Sequence, residues 1–297
     1  MEAAVRDGWS ADQTRFSVLD AESKVITAQV LLALDADVLA LQEVEGQDTL
    51  KRFRDRWLGG REAYPHVAVL DGNDQRLIDV GLLSRYPLVH LRSYQHLWDA
   101  EDRSPLFSRD CLEADVEVPG HGRLTLFVNH FKSMQAPHGQ DPARGRELTR
   151  PKRERQAQGV RALIEARFGP RPEEHPFVVL GDLNDYPQAD AQGWSGLGAL
   201  TGWAAVEDVL GRLPETERWT HHWQGDASTA REGGRRQLDY LLVSRRLAAL
   251  SPALPRVERR GLPKRAGVAA SFEGVGFSHP KASDHCGLAF DLQPWES

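Results

Sequence analysis

Apolar residues in this chain come in short runs, and the spacing within each run predicts an element. Within Ala21–Leu34, Val25, Ile26, Val30, Leu31 and Leu34 recur at helical spacing, and Asp20 stands where an N-cap belongs. Residues 37–42 form a nearly continuous apolar run, the pattern of a buried strand, with Glu43 at its end. Residues 48–57 predict a second helix. Residues 66–70 and 80–83 predict paired strands across Asp71-Gly72-Asn73-Asp74, and Tyr86-Pro87 interrupts the chain before a strand at 88–91.

The middle of the chain is strand-rich. Cys111–Val118 alternates apolar with acidic residues, which predicts a strand with one face in solvent; Pro119-Gly120-His121-Gly122 predicts a hairpin turn, and the strand returning over 124–130 ends at His130. A long polar loop is expected over 133–150 and a helix over 152–168. The apolar run 177–180 then drives a core strand into Gly181-Asp182-Leu183-Asn184-Asp185. In the last third, a strand over 237–243 carries Asp239 near its start, and Ser283-Asp284-His285 precedes a final strand over 286–292. Strands alternate with helices and hairpins, and neither a linker nor a composition shift divides the chain. The expectation is one domain over residues 1–297, an α/β (α+β) sandwich with sheets inside and helices outside.

Composition narrows the class. With 297 residues, 40% of them hydrophobic and 27% charged, the chain can build a core and is not a disordered segment. The net charge of −6 gives no general attraction to nucleic acid. Two basic clusters stand out locally: Arg144, Arg146, Arg150, Lys152, Arg153 and Arg155, and then Arg256, Arg259, Arg260, Lys264 and Arg265. Each is either the lining of a polyanion groove or an ordinary solvated face. Cys111 and Cys286 form no CxxC pair, which excludes a zinc ribbon or redox motif, and their apolar surroundings predict buried free thiols. No apolar run reaches the length of a membrane span. Residues 1–12 lack the apolar core of a signal peptide, which points to the cytoplasm.

Seven polar residues flank apolar strands: Glu43, His130, Asp182, Asn184, Asp239, Asp284 and His285. Taken singly, each reads as a strand end, a turn or a hydrogen-bonded core histidine. Taken together they imply one convergent site, because charged groups beside buried strands are costly unless paired or metal-bound. Oxygen and imidazole ligands without thiolates suit Mg²⁺ or Mn²⁺, with Ca²⁺ a further candidate, better than a structural zinc. Such a set matches phosphodiester hydrolysis, in which a cation neutralises the phosphate, a base activates water and a donor supports the leaving oxygen. His285 beside an acid such as Asp239 would form an imidazole–carboxylate pair. Asp185 is expected only to close the turn before Tyr186-Pro187.

Leu41-Gln42-Glu43-Val44, Asn129-His130-Phe131-Lys132-Ser133, Gly181-Asp182-Leu183-Asn184-Asp185, Leu238-Asp239-Tyr240 and Ser283-Asp284-His285 together resemble the successive motifs of the endonuclease/exonuclease/phosphatase superfamily. The resemblance runs from about Leu34 to Leu292. It implies a DNase-I-like four-layer α/β/β/α sandwich with the site at one end of the two packed sheets. It further implies Glu43 as the principal Mg²⁺ ligand, with Asp284 helping at the metal. Asp182 would orient or deprotonate the attacking water, or join the metal shell. Asn184 would hold the scissile phosphate, and His285 paired with Asp239 would stabilise its charge or transfer a proton. His130 would lie near the leaving group, and Arg109, in Phe107-Ser108-Arg109-Asp110, would contact phosphate.

Members of the superfamily usually begin with a strand bearing an asparagine, and residues 1–19 contain no apolar run ending in Asn. If a segment precedes Met1 in the natural protein, the expected location becomes secreted or periplasmic. His130 stands where abasic-site repair members carry a Tyr-Pro-Asn-like segment, and Trp219-Thr220-His221-His222-Trp223 ahead of Leu238-Asp239-Tyr240 resembles the bacterial secreted-nuclease-like branch. The implied activity is that of a monomeric, metal-dependent nuclease acting on DNA or RNA. The alternatives are a phosphatase or sphingomyelinase-like phospholipase, acting on a small phosphoester or phospholipid without stable membrane insertion, and a non-catalytic binding module of the same fold. For a lipid enzyme, Trp194, Trp203, Trp219 and Trp223 would supply an exposed aromatic hairpin; otherwise they belong to core or lid.

Overall fold

The computed structural model describes residues 20–74, 76–189, 193–226 and 231–295. Residues 1–19, in which an initial asparagine-bearing strand was sought, lie outside them. Helix α1 (Ala21–Leu34) forms where the apolar spacing predicts it. Asp20 Oδ1 accepts the Ser23 amide at 2.6 Å, satisfying one of the donors that a helix start leaves without a partner. Ile26, Val30, Leu31 and Leu34 are buried, whereas Val25 is 40% exposed, turned about 100° away from the line through Ile26 and Val30.

The chain continues through β1 (Val38–Val44), α2 (Gln47–Trp57), the one-turn α3 (Gly60–Ala63), β2 (His66–Val69), β3 (Asp79–Ser84) and β4 (Leu88–Ser93). Two short strands, β5 (Trp98–Asp99) and β6 (Ser104–Pro105), precede β7 (Cys111–Val118), β8 (Gly122–His130), α4 (Gly145–Phe168) and β9 (Phe177–Asp182). The last third holds α5 (Gly198–Thr201), β10 (Val206–Asp208), β11 (His221–Asp226), β12 (Arg231–Arg236), β13 (Asp239–Ser244), α6 (Arg245–Leu250), β14 (Arg256–Glu258) and β15 (Gly287–Ala289). One sheet has the order β10-β13-β9-β8-β7-β4 and another β1-β3-β2; β5–β6, β11–β12 and β14–β15 are two-stranded ribbons.

Alternation along the strands sorts the side chains into layers. Leu126, Val128 and Val178 point inward and pack with Val80 and Leu82 of the facing sheet. Phe127, Phe177 and Val179 point the other way, onto Ala157, Val160 and Ile164 of α4. Beyond the smaller sheet, Leu31 of α1 and Leu50 and Phe53 of α2 cover Leu39 and Leu41 of β1. The layers therefore run helix, sheet, sheet, helix. Each fully buried phenylalanine contributes roughly 2–3 kcal/mol. Between the sheets lies a cavity of about 460 Å³, lined by Val38 and Ala40 of β1, Leu126 and Val178 of the larger sheet, and Leu288 and Phe290. Its end reaches Gln42, Gly181 and Asp239.

Three local expectations change. The acids of β7 do not face solvent: Glu113 and Asp115 are buried on the α4 side. Arg167, at the end of α4, bonds both of them, Tyr94 hydroxyl bonds Glu113 at 2.5 Å, and Thr125 hydroxyl bonds Asp115 at 2.8 Å. Helix α4 begins at Gly145 and carries Pro151 inside it. Its first turn is held by Thr149 hydroxyl, which bonds the Gly145 carbonyl at 2.7 Å, and by Arg153, which bonds the Arg146 carbonyl at 2.8 Å. The final strand spans only Gly287–Ala289, because its partner β14 is three residues long.

The first basic cluster is mostly matched by the chain's own acids. Arg144 pairs with Glu147, Arg146 and Arg153 with Asp185, and Lys152 and Arg155 with Asp99. It therefore fastens α4 to its surroundings and is not a bare groove lining. In the second cluster, Arg256, Arg259 and Arg260 pair with Asp291, Glu217 and Glu258. Both cysteines are buried free thiols, as expected. Among the described residues, no helix is long and apolar enough to cross a membrane.

Gly181 sets the geometry at the end of β9. Strands β8 and β9 run parallel, with Asn129 opposite Gly181 and His130 opposite Asp182. Gly181 has φ +126°, and a Cβ there would lie 2.0 Å from the Asn129 carbonyl oxygen. Gly181→Ala is therefore expected to cost roughly 3 kcal/mol or more through backbone strain and overlap. Chemical denaturation would read this as a lowered midpoint, and a midpoint equal to wild type would contradict the close approach.

Candidate active site

Parallel pairing of β8 with β9 and antiparallel pairing of β9 with β13 bring three strand ends together. His130, Asp182 and Asp239 stand side by side, with Asp239 directly opposite Asp182. His130 Nε2 lies 3.6 Å from Asp182 Oδ2. The residues after β9 turn sharply, Asn184 taking φ +53°. That turn lets the Asn184 backbone amide and side-chain Nδ2 both donate to the Asp182 carboxylate, each at 2.8 Å. Asn184 Nδ2 also reaches the Phe131 carbonyl at 3.2 Å.

His285 arrives from the segment before β15. Its Nδ1 donates to Asp239 Oδ2 at 2.9 Å. The Thr220 hydroxyl donates to the same Asp239 oxygen at 2.7 Å and accepts the Leu238 and Asp239 amides, both at 3.0 Å. His221 bridges to His285 through the backbone. Its ring centroid lies 4.6 Å from that of His285, and its Nε2 is 3.9 Å from Asp284 Oδ2.

Electrostatics divides these groups. Burial alone would hold the His285 imidazolium down, but the Asp239 charge and hydrogen bond, with Asp182 and Asp284, raise its pKa to about 9. Burial pushes Asp182 up, and the Asp239 charge adds to this against the opposing pull of His285, so its carboxyl is raised to about 7. Burial raises Asp239 as well, yet His285 and Thr220 hold it below the usual carboxylate value. Asp284 is likewise raised by burial but lowered to about 2 by His285, Lys281 and His221. Burial and neighbouring cations keep the other two histidines neutral: His130 falls well below its ordinary value, and His221 falls to about 4. One end of the sandwich thus carries a cationic imidazole, two neutral ones and a carboxylate poised near neutrality.

Glu43 sits at a bulge near the end of β1, buried and at φ +57°. Its neighbour Gln42 lies against Gly181, so β1 ends beside β9. Two groups of ligand atoms lie mutually within 4.8 Å, His221 with Asp284 and His285, and Asp182 with Asp239 and His285. Neither includes Glu43. Arg109 is 4% exposed and engaged behind the site, its Nε on Asp74 at 2.9 Å and its NH1 on the Phe131 carbonyl at 2.8 Å. It braces the carbonyl that Asn184 also holds.

The sequence reading missed three contributors. Thr220 and His221 stood out in the sequence only as part of an aromatic segment; the signal available was a polar pair between two tryptophans. Asp185 does more than close a turn. It is fully buried and accepts from Arg146 at 2.6 Å, Arg153 at 3.0 Å and the Gly196 amide at 3.1 Å.

The fold is similar to that of truncated Caenorhabditis elegans TDP2, at 14% identity over 90% of both chains with a TM-score of 0.54. It is also similar to an AP endonuclease from Archaeoglobus fulgidus, at 16% identity over 93% of this chain and 97% of that one, TM-score 0.57. A third similar structure is the 3′ phosphatase NExo from Neisseria bound to a product DNA hairpin, at 18% identity over 89% and 92%, TM-score 0.51. No curated protein sequence matches. The fold is thus the DNase-I-like α/β sandwich. The profile of the Endonuclease/Exonuclease/phosphatase family matches residues 19–285. The chain therefore belongs to that family, a family of phosphoester-hydrolysing enzymes.

Proposed function

We propose that this chain is a divalent-metal-dependent phosphodiesterase that cleaves nucleic acid by attack of water on phosphorus. The observation that carries the reading is one buried cluster in which Asp239 holds His285 at 2.9 Å and stands directly opposite Asp182, whose carboxylate both Asn184 amides orient. Asp182, once ionised, takes the proton of the attacking water, with the Asn184 amides fixing its orientation. His285, held cationic by Asp239, keeps its Nε2 for a phosphate oxygen and stabilises the charge that develops there. Neutral His130 is a hydrogen-bond donor toward the leaving oxygen.

The donor set fits a hard cation. Asp239 is engaged with His285 and Thr220, and a protonated imidazole offers no lone pair to a metal. Asp284, ionised and making only contacts of 3.5 Å or longer, is the available carboxylate on one side. Glu43 approaches from β1 on the other. We assign these two to Mg²⁺ or Mn²⁺, with Ca²⁺ a weaker match for a catalytic role. When bound, such an ion supplies charge neutralisation at the phosphate.

The neighbours named for AP endonuclease and 3′ phosphatase activity support a nucleic-acid substrate. The four tryptophans form no exposed aromatic hairpin: Trp219 is core, Trp203 and Trp223 are half-buried, and Trp194 alone of the four is exposed, with the Arg150 guanidinium 5.5 Å from its ring. The test is a panel of plasmid DNA, RNA, bis(4-nitrophenyl) phosphate and sphingomyelin, each with Mg²⁺, Mn²⁺ or EDTA. A nucleic acid and the small diester are expected to be cleaved with metal, and EDTA is expected to lower the rate by about a hundredfold or more. Sphingomyelin hydrolysis without nucleic-acid cleavage would replace this reading with the phospholipase, and no hydrolysis at all would replace it with the binding module.

A further inference from the structure

Several arginines around the site bond a carboxylate of this chain; among the described residues Arg236 bonds none. It is exposed, at the end of β12. Among the described residues its one hydrogen bond runs from NH1 to the neighbouring Arg235 carbonyl at 2.9 Å. Its guanidinium carbon lies 5.7 Å from the centre of the Tyr186 ring.

The register of the hairpin fixes the direction of this side chain. Arg236 is the cross-strand partner of His221, and directly opposed residues of an antiparallel pair project to the same face. His221 faces the site, since its ring lies against His285 and its Nε2 is 3.9 Å from Asp284. Arg236 therefore leaves the hairpin on the site face. It reaches Tyr186, two residues beyond Asn184, and so spans the mouth from the His221 side to the Asn184 side. Tyr186 also carries Arg146 on its ring at 4.6 Å, but that guanidinium is already held by the Asp185 carboxylate and the Gln188 carbonyl. The neighbouring Arg235 pairs with His222 on the opposite face and is tied to the Ala266 carbonyl at 2.8 Å and to the Trp219 ring. Among the described residues Arg236 is left at the rim without a carboxylate partner, outside the buried groups that meet the reacting phosphate.

We propose that Arg236 holds a phosphate flanking the scissile one, so that the substrate is a chain of phosphodiesters, a polynucleotide strand. A planar guanidinium offers paired donors to a phosphate, and this one lies over Gly234 of its own strand with the Tyr186 ring beside it. The assignment rests on the phosphodiesterase reading above and adds a recognition contact to it. Arg236 is a specificity-determining residue in this scheme and takes no part in the proton transfers.

The test is steady-state kinetics of wild type, Arg236→Gln, Arg236→Lys and Arg123→Gln over a range of salt. The substrates are DNA and RNA oligonucleotides and bis(4-nitrophenyl) phosphate, which has a single phosphate. Arg236→Gln is expected to raise the oligonucleotide KM about tenfold and flatten its salt dependence by about one phosphate contact, while kcat/KM on the small diester moves less than about twofold. Arg236→Lys should recover part of the KM. Arg123, exposed and paired with Glu117 at the opposite end of β8, should change neither substrate, which separates a local contact from net charge. Equal losses on both substrates, or no loss on either, would overturn the proposal. A wild-type enzyme that cleaves the small diester and neither oligonucleotide would refute the nucleic-acid reading itself, an outcome visible before any variant is made.

Discussion

Replacing Asp182 with asparagine is expected to lower kcat by about a thousandfold or more, with little change in KM for a small diester. The substitution keeps the volume of the side chain and removes the one group raised to neutrality by burial and by the Asp239 charge. His285→Ala should cost a similar factor, because it removes the cation that Asp239 sustains. The double variant should be little slower than either single one, since the two groups act on one reaction step. Single-turnover kinetics with circular dichroism as a fold control would measure this. A rate within about tenfold of wild type in either single variant would refute the roles assigned to these residues.

The largest effect on stability is expected at Arg153, which touches no substrate in this scheme. Its side chain is fully buried and bonds Asp185, Thr149 and the Arg146 and Lys132 carbonyls. Arg153→Ala strands part of a buried carboxylate and several backbone acceptors, at a cost of about 3–5 kcal/mol. For a chain of this size that lowers the thermal midpoint by roughly 10 °C. Arg144→Ala breaks only the exposed pair with Glu147 and should shift stability by about 0.5 kcal/mol or less. If the two variants melt alike, the buried network has been misjudged.

These two sites differ in how far the sequence disclosed them. Asp182, Asp239 and His285 were legible because each abuts a strongly apolar strand, where a charge calls for a partner. The pair of His285 with Asp239 was expected and forms at 2.9 Å; the placing of Asp182 directly beside Asp239 was not legible, since it depends on β9 lying between β8 and β13. Thr220 and His221 escaped because Trp219-Thr220-His221-His222-Trp223 has no polarity alternation to say which histidine faces inward; the bridge from His221 to His285 decides it. The acids of β7 were misjudged for a related reason. Period-two alternation separates two faces but does not say what covers the second, and the cover is Arg167 from a distant helix. The start of α4 was misplaced because Pro151 weighs heavily in a local reading, while the side-chain bonds of Thr149 and Arg153 that hold the first turn do not show in helix propensity. The first basic cluster looked like a groove because its acidic partners, Asp99 and Asp185, lie elsewhere in the chain.

Helix α4 behaves mechanically as a rod pinned at two points. Arg146 and Arg153 fix its near end to Asp185, and Arg167 fixes its far end to Glu113 and Asp115. The anchors at Arg153 and Arg167 are about 20 Å apart along the axis. Sliding by one turn, about 5.4 Å, would tear both loose, and rolling would separate each guanidinium from its acid. The helix and the turn after β9 that it grips therefore translate as one body. A long substrate thus meets a fixed wall on this side and, across from it, the β11–β12 ribbon, which pairs with neither large sheet, carries His221 and Arg236, and is held to the site through the His221–His285 bridge.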